Sequence, residues 1–296
     1  MSNMSPMFRK LPAEVPMTSD DRSIGAILLD TGKLSLADAE RILQYQKQEG
    51  CRFGDAGIKL GLISEEDFRQ ALATQFDFTC LAPGESRISA ELVAAYQPHH
   101  QTTEWFRALR SQLMLRWFGA ELQRRTLAIT SPRGNEGRTY LAANLAVVFS
   151  QLGERTLLID ADFRKSRIAA IFGLQDALGL SSILAGRDDT HLIQKISGLD
   201  KLHVLPAGIV PPNPQELLER SVFDELLKHL ATEFDVILID TPPSADYTDT
   251  HSIAAAAGAA VIVTRQNHTR LGDARTLAEK LRAARAEIVG SVLTGF

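Results

Sequence analysis

Cysteine is nearly absent from this 296-residue chain, which has only Cys51 and Cys80. Two thiols with no second pair build no disulfide framework, and no histidine stands at a metal-ligand spacing from either. Both are therefore expected to be ordinary thiols of a reducing compartment. Long apolar runs are missing too. The most apolar stretch, Ile253–Val263, is alanine-rich, interrupted by Gly258, and well short of the ~20 residues a membrane-spanning helix needs. The opening Met1-Ser-Asn-Met-Ser-Pro lacks the basic segment and apolar stretch of a secretion signal. Positive charge is not in excess: 32 Lys and Arg stand against 36 Asp and Glu, a formal net charge of -4. Such a chain has no overall basic field to hold a nucleic acid backbone or an anionic membrane surface. These absences lead us to expect a cytoplasmic protein, any membrane association of which must come through a partner.

What is present suffices for more than one core. A composition of 45% hydrophobic and 23% charged residues is that of a globular protein, and the length favours two domains. Residues 1–20 carry three prolines and little periodicity and read as a flexible lead. The following segment, 21–78, contains an internal repeat. Ile24-Gly25, Gly32-x-Leu34 and Gln46 recur 29 positions later as Phe53-Gly54, Gly61-x-Ile63 and Gln75. Each copy predicts a short helix, a glycine-closed turn and a second helix capped by Ser35 or Ser64. Glu65 and Glu66 suit the positive end of the last helix.

This repeat unit resembles the N-terminal domain of type II secretion and pilus-assembly ATPases, through Arg52-Phe53-Gly54, Gly61-Leu62-Ile63 and Gln75. Some members of that family bind cyclic di-GMP there, so the resemblance implies a second-messenger site at Arg52, Gly54, Gly61 and Gln75. The first copy departs from the pattern, with Ser23 in place of the arginine. A small helical interaction domain whose repeats pack on each other is the reading that stays ahead.

Residues 79–103 lose periodicity, with Pro83-Gly84 and Pro98-His99-His100 as breakers, and are expected to be a linker with its adjacent histidines in solvent. Over 104–296 the pattern becomes alternating β and α. Apolar runs at 126–130, 155–160, 202–206, 235–240, 259–264 and 288–293, separated by helical segments, predict an α/β domain with a mostly parallel sheet flanked by helices. Ligands then sit at the carboxyl ends of the strands.

The first of these strands runs into Ser131-Pro-Arg-Gly134-Asn135-Glu136-Gly137-Arg138-Thr139-Tyr140 and an alanine-rich helix. A loop of this kind turns successive backbone N–H groups toward one point at the positive end of a helix, where phosphate oxygens are stabilised. Gly134 to Tyr140 are the expected nucleotide-binding residues. Thr139 holds the position whose hydroxyl ligates Mg²⁺ in a P-loop. Two positions depart from the P-loop pattern: Pro132 replaces its first glycine and Arg138 its lysine. Arginine keeps the charge but is longer and planar. The next strand ends Ile159-Asp160-Ala-Asp162-Phe-Arg164, and a later one ends Ile239-Asp240-Thr-Pro-Pro243. Acids at the ends of buried strands are costly unless a cation compensates them, and Mg²⁺ held beside ATP phosphates is such a cation. The expected metal-binding residues are Thr139, Asp160 and Asp240, and the expected catalytic ones Arg138, Asp160, Asp162 and Asp240.

With its apolar triplet followed by Asp160-x-Asp162-x-Arg164, residues 100–296 resemble the bacterial tyrosine kinases. The segment Val204-Leu-Pro-Ala-Gly208 through Pro214-Gln-Glu-Leu-Leu218 follows that family's pattern as well. Glu104-x-x-Arg107-x-x-Arg110 matches the family's subunit-contact motif. The resemblance thus implies a homo-oligomer engaged through Glu104, Arg107 and Arg110, the bland alternative being a solvated intrahelical pair. The loop sequence and the appended repeat domain look most like the tyrosine kinase of exosortase-linked exopolysaccharide clusters. That likeness implies ATP and Mg²⁺ as cofactors and a membrane chain-length determinant as partner. The family's C-terminal tyrosine cluster is missing, since the chain ends Val292-Leu-Thr-Gly-Phe296. Tyr96 and Tyr247 are then the exposed phosphoacceptor candidates, and Thr294 stands where related ATPases often place an asparagine near the adenine. Two other functions stay open: a ParA/MinD-like ATPase switch, and a non-catalytic ATP-sensing assembly factor.

Overall fold

The structure is a computed structural model and describes residues 23–75, 81, 86–119, 124–174, 178–187 and 192–295. The expected N-terminal lead and Cys80 lie outside the described residues. The chain divides into two compact units, 1–78 and 79–296. No helix among the described residues is long and apolar enough to cross a membrane.

The first unit holds α1 (Ile24–Asp30), α2 (Leu36–Glu49), α3 (Phe53–Lys59) and α4 (Glu65–Gln75), two copies of a helix–turn–helix. Ser35 and Ser64 accept the backbone N–H of Asp38 and Asp67 and donate their hydroxyls to the same two carboxylates, which closes the first turn of α2 and α4. Gly32 and Gly61 take positive φ at the turns, 69° and 66°, where a side chain would be strained. Ile27, Leu28, Leu34, Ile42, Ala56, Ile63 and Ala71 form the core. Cys51 is a free thiol.

The second unit opens with α5 (Val93–Tyr96), α6 (Gln101–Leu113) and a π-helical turn at Met114–Phe118. Then come β1 (Thr126–Thr130), α7 (Arg138–Gln151), β2 (Thr156–Asp160), α8 (Ile168–Ile171), α9 (Leu180–Leu184), β3 (Gln194–Lys195) and β4 (Leu202–Leu205). The chain continues with α10 (Pro214–Leu218), α11 (Ser221–Glu233), β5 (Val236–Asp240), α12 (Asp249–Ala257), β6 (Ala259–Arg265), α13 (Leu271–Ala283) and β7 (Glu287–Thr294). The strands form one sheet in the order β3-β4-β2-β5-β1-β6-β7. All pairings are parallel except the short β3–β4 ribbon. Strands β2 and β5 are buried at every position, as a central strand covered on both faces must be. Two apolar clusters lie on the two faces of the sheet. Helix α7 is buried from Leu141 to Ser150, and its alanines let it lie close against the sheet.

Residues 86–103, expected as linker, instead belong to this core. Leu92, Ala94 and Ala95 are wholly buried, and Asn144 of α7 accepts from the Ala94 N–H at 3.0 Å while donating to the Glu91 carbonyl at 3.2 Å. Pro98-His99-His100 follows the short helix Val93–Tyr96 rather than ending a domain, and Pro83-Gly84 lies outside the described residues. His100 caps α6 through Nδ1, which accepts the Thr102 N–H at 3.2 Å. Tyr96, expected to be exposed, is half-buried, with its hydroxyl 2.7 Å from the Ile88 carbonyl and 2.6 Å from Ser86 Oγ.

Candidate functional site

The phosphate loop spans β1 and α7 at the carboxyl edge of the sheet. Asn135 at φ 60° and Gly137 at φ 91° give it the alternating backbone that gathers N–H groups into an anion-binding concavity. Several contacts hold this shape. Glu136, read from the sequence as a ligand contact, is fully buried. Its carboxylate accepts the Arg133 N–H at 2.6 Å and the Thr269 hydroxyl, so the side chain braces the loop from behind. Thr294 donates to the Glu136 carbonyl at 3.0 Å and Arg265 to the Asn135 carbonyl at 3.1 Å. The loop after β5 is laced to it by Ser244 N–H to Ser131 O at 3.1 Å and Ala245 N–H to Pro132 O at 2.9 Å. Gly134 is half-buried and Asn135 exposed. Tyr140 turns its ring onto Phe106, with centroids 5.7 Å apart, and burial holds its phenol above the ordinary value; it supports α7 through packing.

Arg138 does not extend into solvent. Its Nε donates to the Thr241 carbonyl at 2.7 Å, its Nη1 to Ser131 Oγ and to the Arg133 carbonyl, and its Nη2 lies 3.8 Å from Asp162 Oδ2.

The acids converge on the same edge. Asp160 and Asp240 are register partners at the ends of β2 and β5, and Thr139 donates to Asp240 Oδ2 at 2.7 Å. The other oxygen of that group, Asp240 Oδ1, is buried without a hydrogen-bond partner. Burial, with the neighbouring Asp240 charge, pushes the Asp160 carboxyl up to about 8. Burial likewise raises Asp240 to about 6, opposed by Arg138 and the Thr139 hydroxyl. Two buried carboxyls side by side suit a bound cation, which would favour their charged forms. Among the described residues no cluster of three His, Cys, Asp or Glu side chains could hold a metal ion. Mg²⁺ takes one or two protein oxygens and completes its shell with phosphate and water. Thr139 and Asp240 fit it.

Asp160 and Asp162 differ in what their oxygens do. Asp160 Oδ1 accepts the Asp162 N–H at 3.0 Å, and its Oδ2 accepts Ser166 Oγ at 2.8 Å and the Ile168 N–H at 3.2 Å. Asp162 Oδ1 accepts the Arg164 and Lys165 N–H groups at 3.2 and 3.0 Å, leaving Oδ2 toward Arg138. Sequence reasoning named Arg164 only as part of a motif and missed its partner. Arg164 ion-pairs with buried Asp249 at the start of α12 and lies 4.1 Å over the Tyr247 ring. Tyr247 is therefore partly covered rather than an exposed loop tyrosine. The Asp-x-Asp-x-Arg spacing marks Arg164, but nothing local marks Asp249.

The charged stripe on α6 divides. Arg107 ion-pairs with Glu104, whereas Arg110 is half-buried and donates to the Val148 carbonyl of α7 at 2.8 Å. Six residues turn a helix by about 600°, so Arg110 faces α7 when Glu104 faces out. In the first unit, a Cβ on Gly54 would lie 2.0 Å from the Phe68 ring, so that glycine answers to packing. Gly61 answers to turn geometry, Arg52 is exposed at the start of α3, and Gln75 ends α4.

Comparison with known proteins places this geometry in context. The family model of the AAA domain matches residues 124–288. Over 210 residues the chain is 31% identical to the tyrosine-protein kinase YwqD of Bacillus subtilis (strain 168), covering 71% of this chain and 88% of that protein. The chain spans only 28% of the length of some longer curated relatives. Among solved structures, the kinase domain of Escherichia coli tyrosine kinase ETK matches with a TM-score of 0.67 at 29% identity, covering 74% of this chain and 85% of that one. A more distant match is the septum site-determining protein MinD complexed with Mg-ADP from Pyrococcus horikoshii OT3. Its TM-score is 0.51 at 26% identity, over 57% of this chain and 70% of that one.

Proposed function

This chain belongs to the bacterial tyrosine kinase family, and from that premise we propose that it transfers the γ-phosphoryl group of ATP to a tyrosine hydroxyl at the carboxyl edge of the second unit's sheet. The observation that carries this reading is the Thr139–Asp240 hydrogen bond, which leaves Asp240 Oδ1 buried and unpartnered beside the phosphate loop. Thr139 and Asp240 would hold Mg²⁺, which when bound neutralises charge on the phosphates. The loop 131–139 binds the phosphates through backbone N–H groups, and Arg138 brings the positive charge that phosphoryl transfer calls for.

The distribution of hydrogen bonds favours Asp162 as the base. Asp160 has both oxygens committed to its own loop, so its part is to hold residues 162–168 and to sit against Asp240. Asp162 keeps Oδ2 toward the reacting edge and would accept the tyrosine proton. This separates the roles of the two acids, both of which the sequence offers as catalytic.

The finer reading is an exopolysaccharide chain-length kinase, recruited to the inner membrane by a membrane chain-length determinant and assembled as a homo-oligomer through Glu104 and Arg107. Its support is the family and the charged stripe on α6. For the first unit, the packing of Gly54 and the turn at Gly61 favour a helical interaction module over a cyclic di-GMP site. The test is incubation of the full chain with γ-labelled ATP, Mg²⁺ and the cytoplasmic segment of such a membrane protein. Label on tyrosine is expected. Free phosphate alone would turn the reading to a MinD-like switch, and neither product to an ATP sensor without catalysis.

A further inference from the structure

Arg138 occupies a position where the P-loop pattern has lysine, and its length and fork shape raise a geometric problem. A guanidinium carries five N–H donors in one plane and matches a carboxylate two bonds at a time. With Asp162 Oδ2 3.8 Å from Nη2, a freely turning fork would close on that carboxylate and occupy the oxygen the tyrosine proton needs. The fork is not free. Three of its donors are taken by Thr241 O, Ser131 Oγ and Arg133 O. Two of these acceptors are backbone carbonyls, so among the described residues the Ser131 hydroxyl is the side chain that harnesses the fork.

Ser131 is itself fixed. It is wholly buried, its hydroxyl donates to the Arg133 carbonyl at 2.7 Å, and its oxygen accepts from Arg138 Nη1. Its carbonyl accepts the Ser244 N–H, which sets the backbone on both sides of the site. We infer that Ser131 is a positioning residue: it draws Nη1 back so that Arg138 presents Nη2 alone at the reacting edge, as a single-nitrogen cation in place of the lysine. Lysine at 138 has one nitrogen and needs no such harness, so the role of Ser131 depends on the residue at 138. This inference rests on the kinase reading above.

The test is a two-by-two set of full-length proteins, wild type, Ser131→Ala, Arg138→Lys and both together, with Ser131→Thr as the hydroxyl-retaining control. Steady-state phosphorylation of a tyrosine peptide gives kcat and the KM for ATP, and thermal melting checks folding. Ser131→Ala is expected to lower kcat about tenfold with KM changed less than about twofold, because the base rather than the nucleotide is obstructed. In the Arg138→Lys background the same change is expected to cost less than about twofold, and Ser131→Thr is expected to behave as wild type. Equal losses in both backgrounds, or no loss in the wild-type background, would overturn the proposal. If wild type makes no phosphotyrosine, the kinase reading fails by itself. In that event, or if Arg138→Lys is inactive or Ser131→Ala melts early, the crystal structure of Ser131→Ala decides. Both Nη atoms on Asp162 support the steering, and an unmoved fork refutes it.

Discussion

Asp160 and Asp240 stand side by side as register partners on β2 and β5, both essentially inaccessible to water. Burial raises both above the ordinary value of 3.8, helped at Asp160 by the Asp240 charge and at Asp240 by the Asp162 charge. The metal-free fold therefore carries a proton that the unfolded chain releases.

The sign follows from proton counts. Between 3.8 and about 8 the folded state holds a proton on Asp160 that the unfolded state lacks, so stability is lost as pH rises through that window. His203 and His251 are lowered by burial; they act in the opposite sense, destabilising the fold as pH falls below 6.5. Between pH 6.5 and 8 the acid pair dominates. Melting in chelator should show stability falling by up to about 1.4 kcal/mol per pH unit there. Asp240→Asn should flatten the slope and raise the metal-free melting temperature. A slope unchanged by that substitution would remove the pair from the account.

Arg164 and Asp249 make the second prediction. Asp249 is 1% exposed, so deleting its cation leaves a buried charge uncompensated. Arg164→Ala should cost about 3 kcal/mol in urea unfolding. Adding Asp249→Ala should recover part of that loss, a non-additivity that two independent sites do not give.

How far the sequence foretells the site depends on the range of each contact. Local pattern places the strand ending at Asp240, the loop at 131–139 and the caps at Ser35 and Ser64, because each is written in a few neighbouring residues. It misses Arg164–Asp249, 85 residues apart, and Glu136–Thr269, 133 apart, where nothing near either partner names the other. Residues 86–103 mislead for another reason: breakers mark the ends of elements, whereas Leu92 and Ala94 are buried in an apolar cluster with residues of α7 far along the chain. The two-residue β3 is too short to carry any period. Glu136 sits in the right loop, but its direction is set by Thr269.

On α6 the stripe should separate into two phenotypes. Arg110 lies against α7 and bonds a helix carbonyl, so Arg110→Ala should lower stability by about 1–2 kcal/mol with little specific effect on association. Arg107→Ala should leave stability within about 0.5 kcal/mol and reduce the mass in sedimentation. An unaltered mass for Arg107→Ala would return the Glu104–Arg107 pair to an intrahelical contact.

Gly54 tests the packing of the first unit. A methyl group there meets the Phe68 ring at 2.0 Å, and overpacking of that kind costs about 1–3 kcal/mol. Gly54→Ala should lower the melting temperature, and Phe68→Leu in the same chain should restore part of it. Failure of the second change to compensate would mean the glycine answers to something other than this contact.

The division of labour among the acids is tested by comparing Asp162→Asn with Asp240→Asn. Asparagine at 162 can keep an oxygen for the Arg164 and Lys165 N–H groups, so the loop should hold its shape while the proton acceptor is gone. ATP·Mg²⁺ affinity measured by calorimetry should then stay within about threefold, and phosphotyrosine formation should fall about 10²–10⁴-fold. At 240 the loss is of the oxygen pair that meets Thr139 and stands unpartnered at Oδ1, so magnesium-dependent binding itself should disappear. If Asp162→Asn abolishes binding as well, the two carboxylates share one role and Asp162 is not a dedicated base. If Asp240→Asn binds ATP·Mg²⁺ normally, the buried unpartnered oxygen is not a metal position, and the reading of this edge as a kinase site loses its central support.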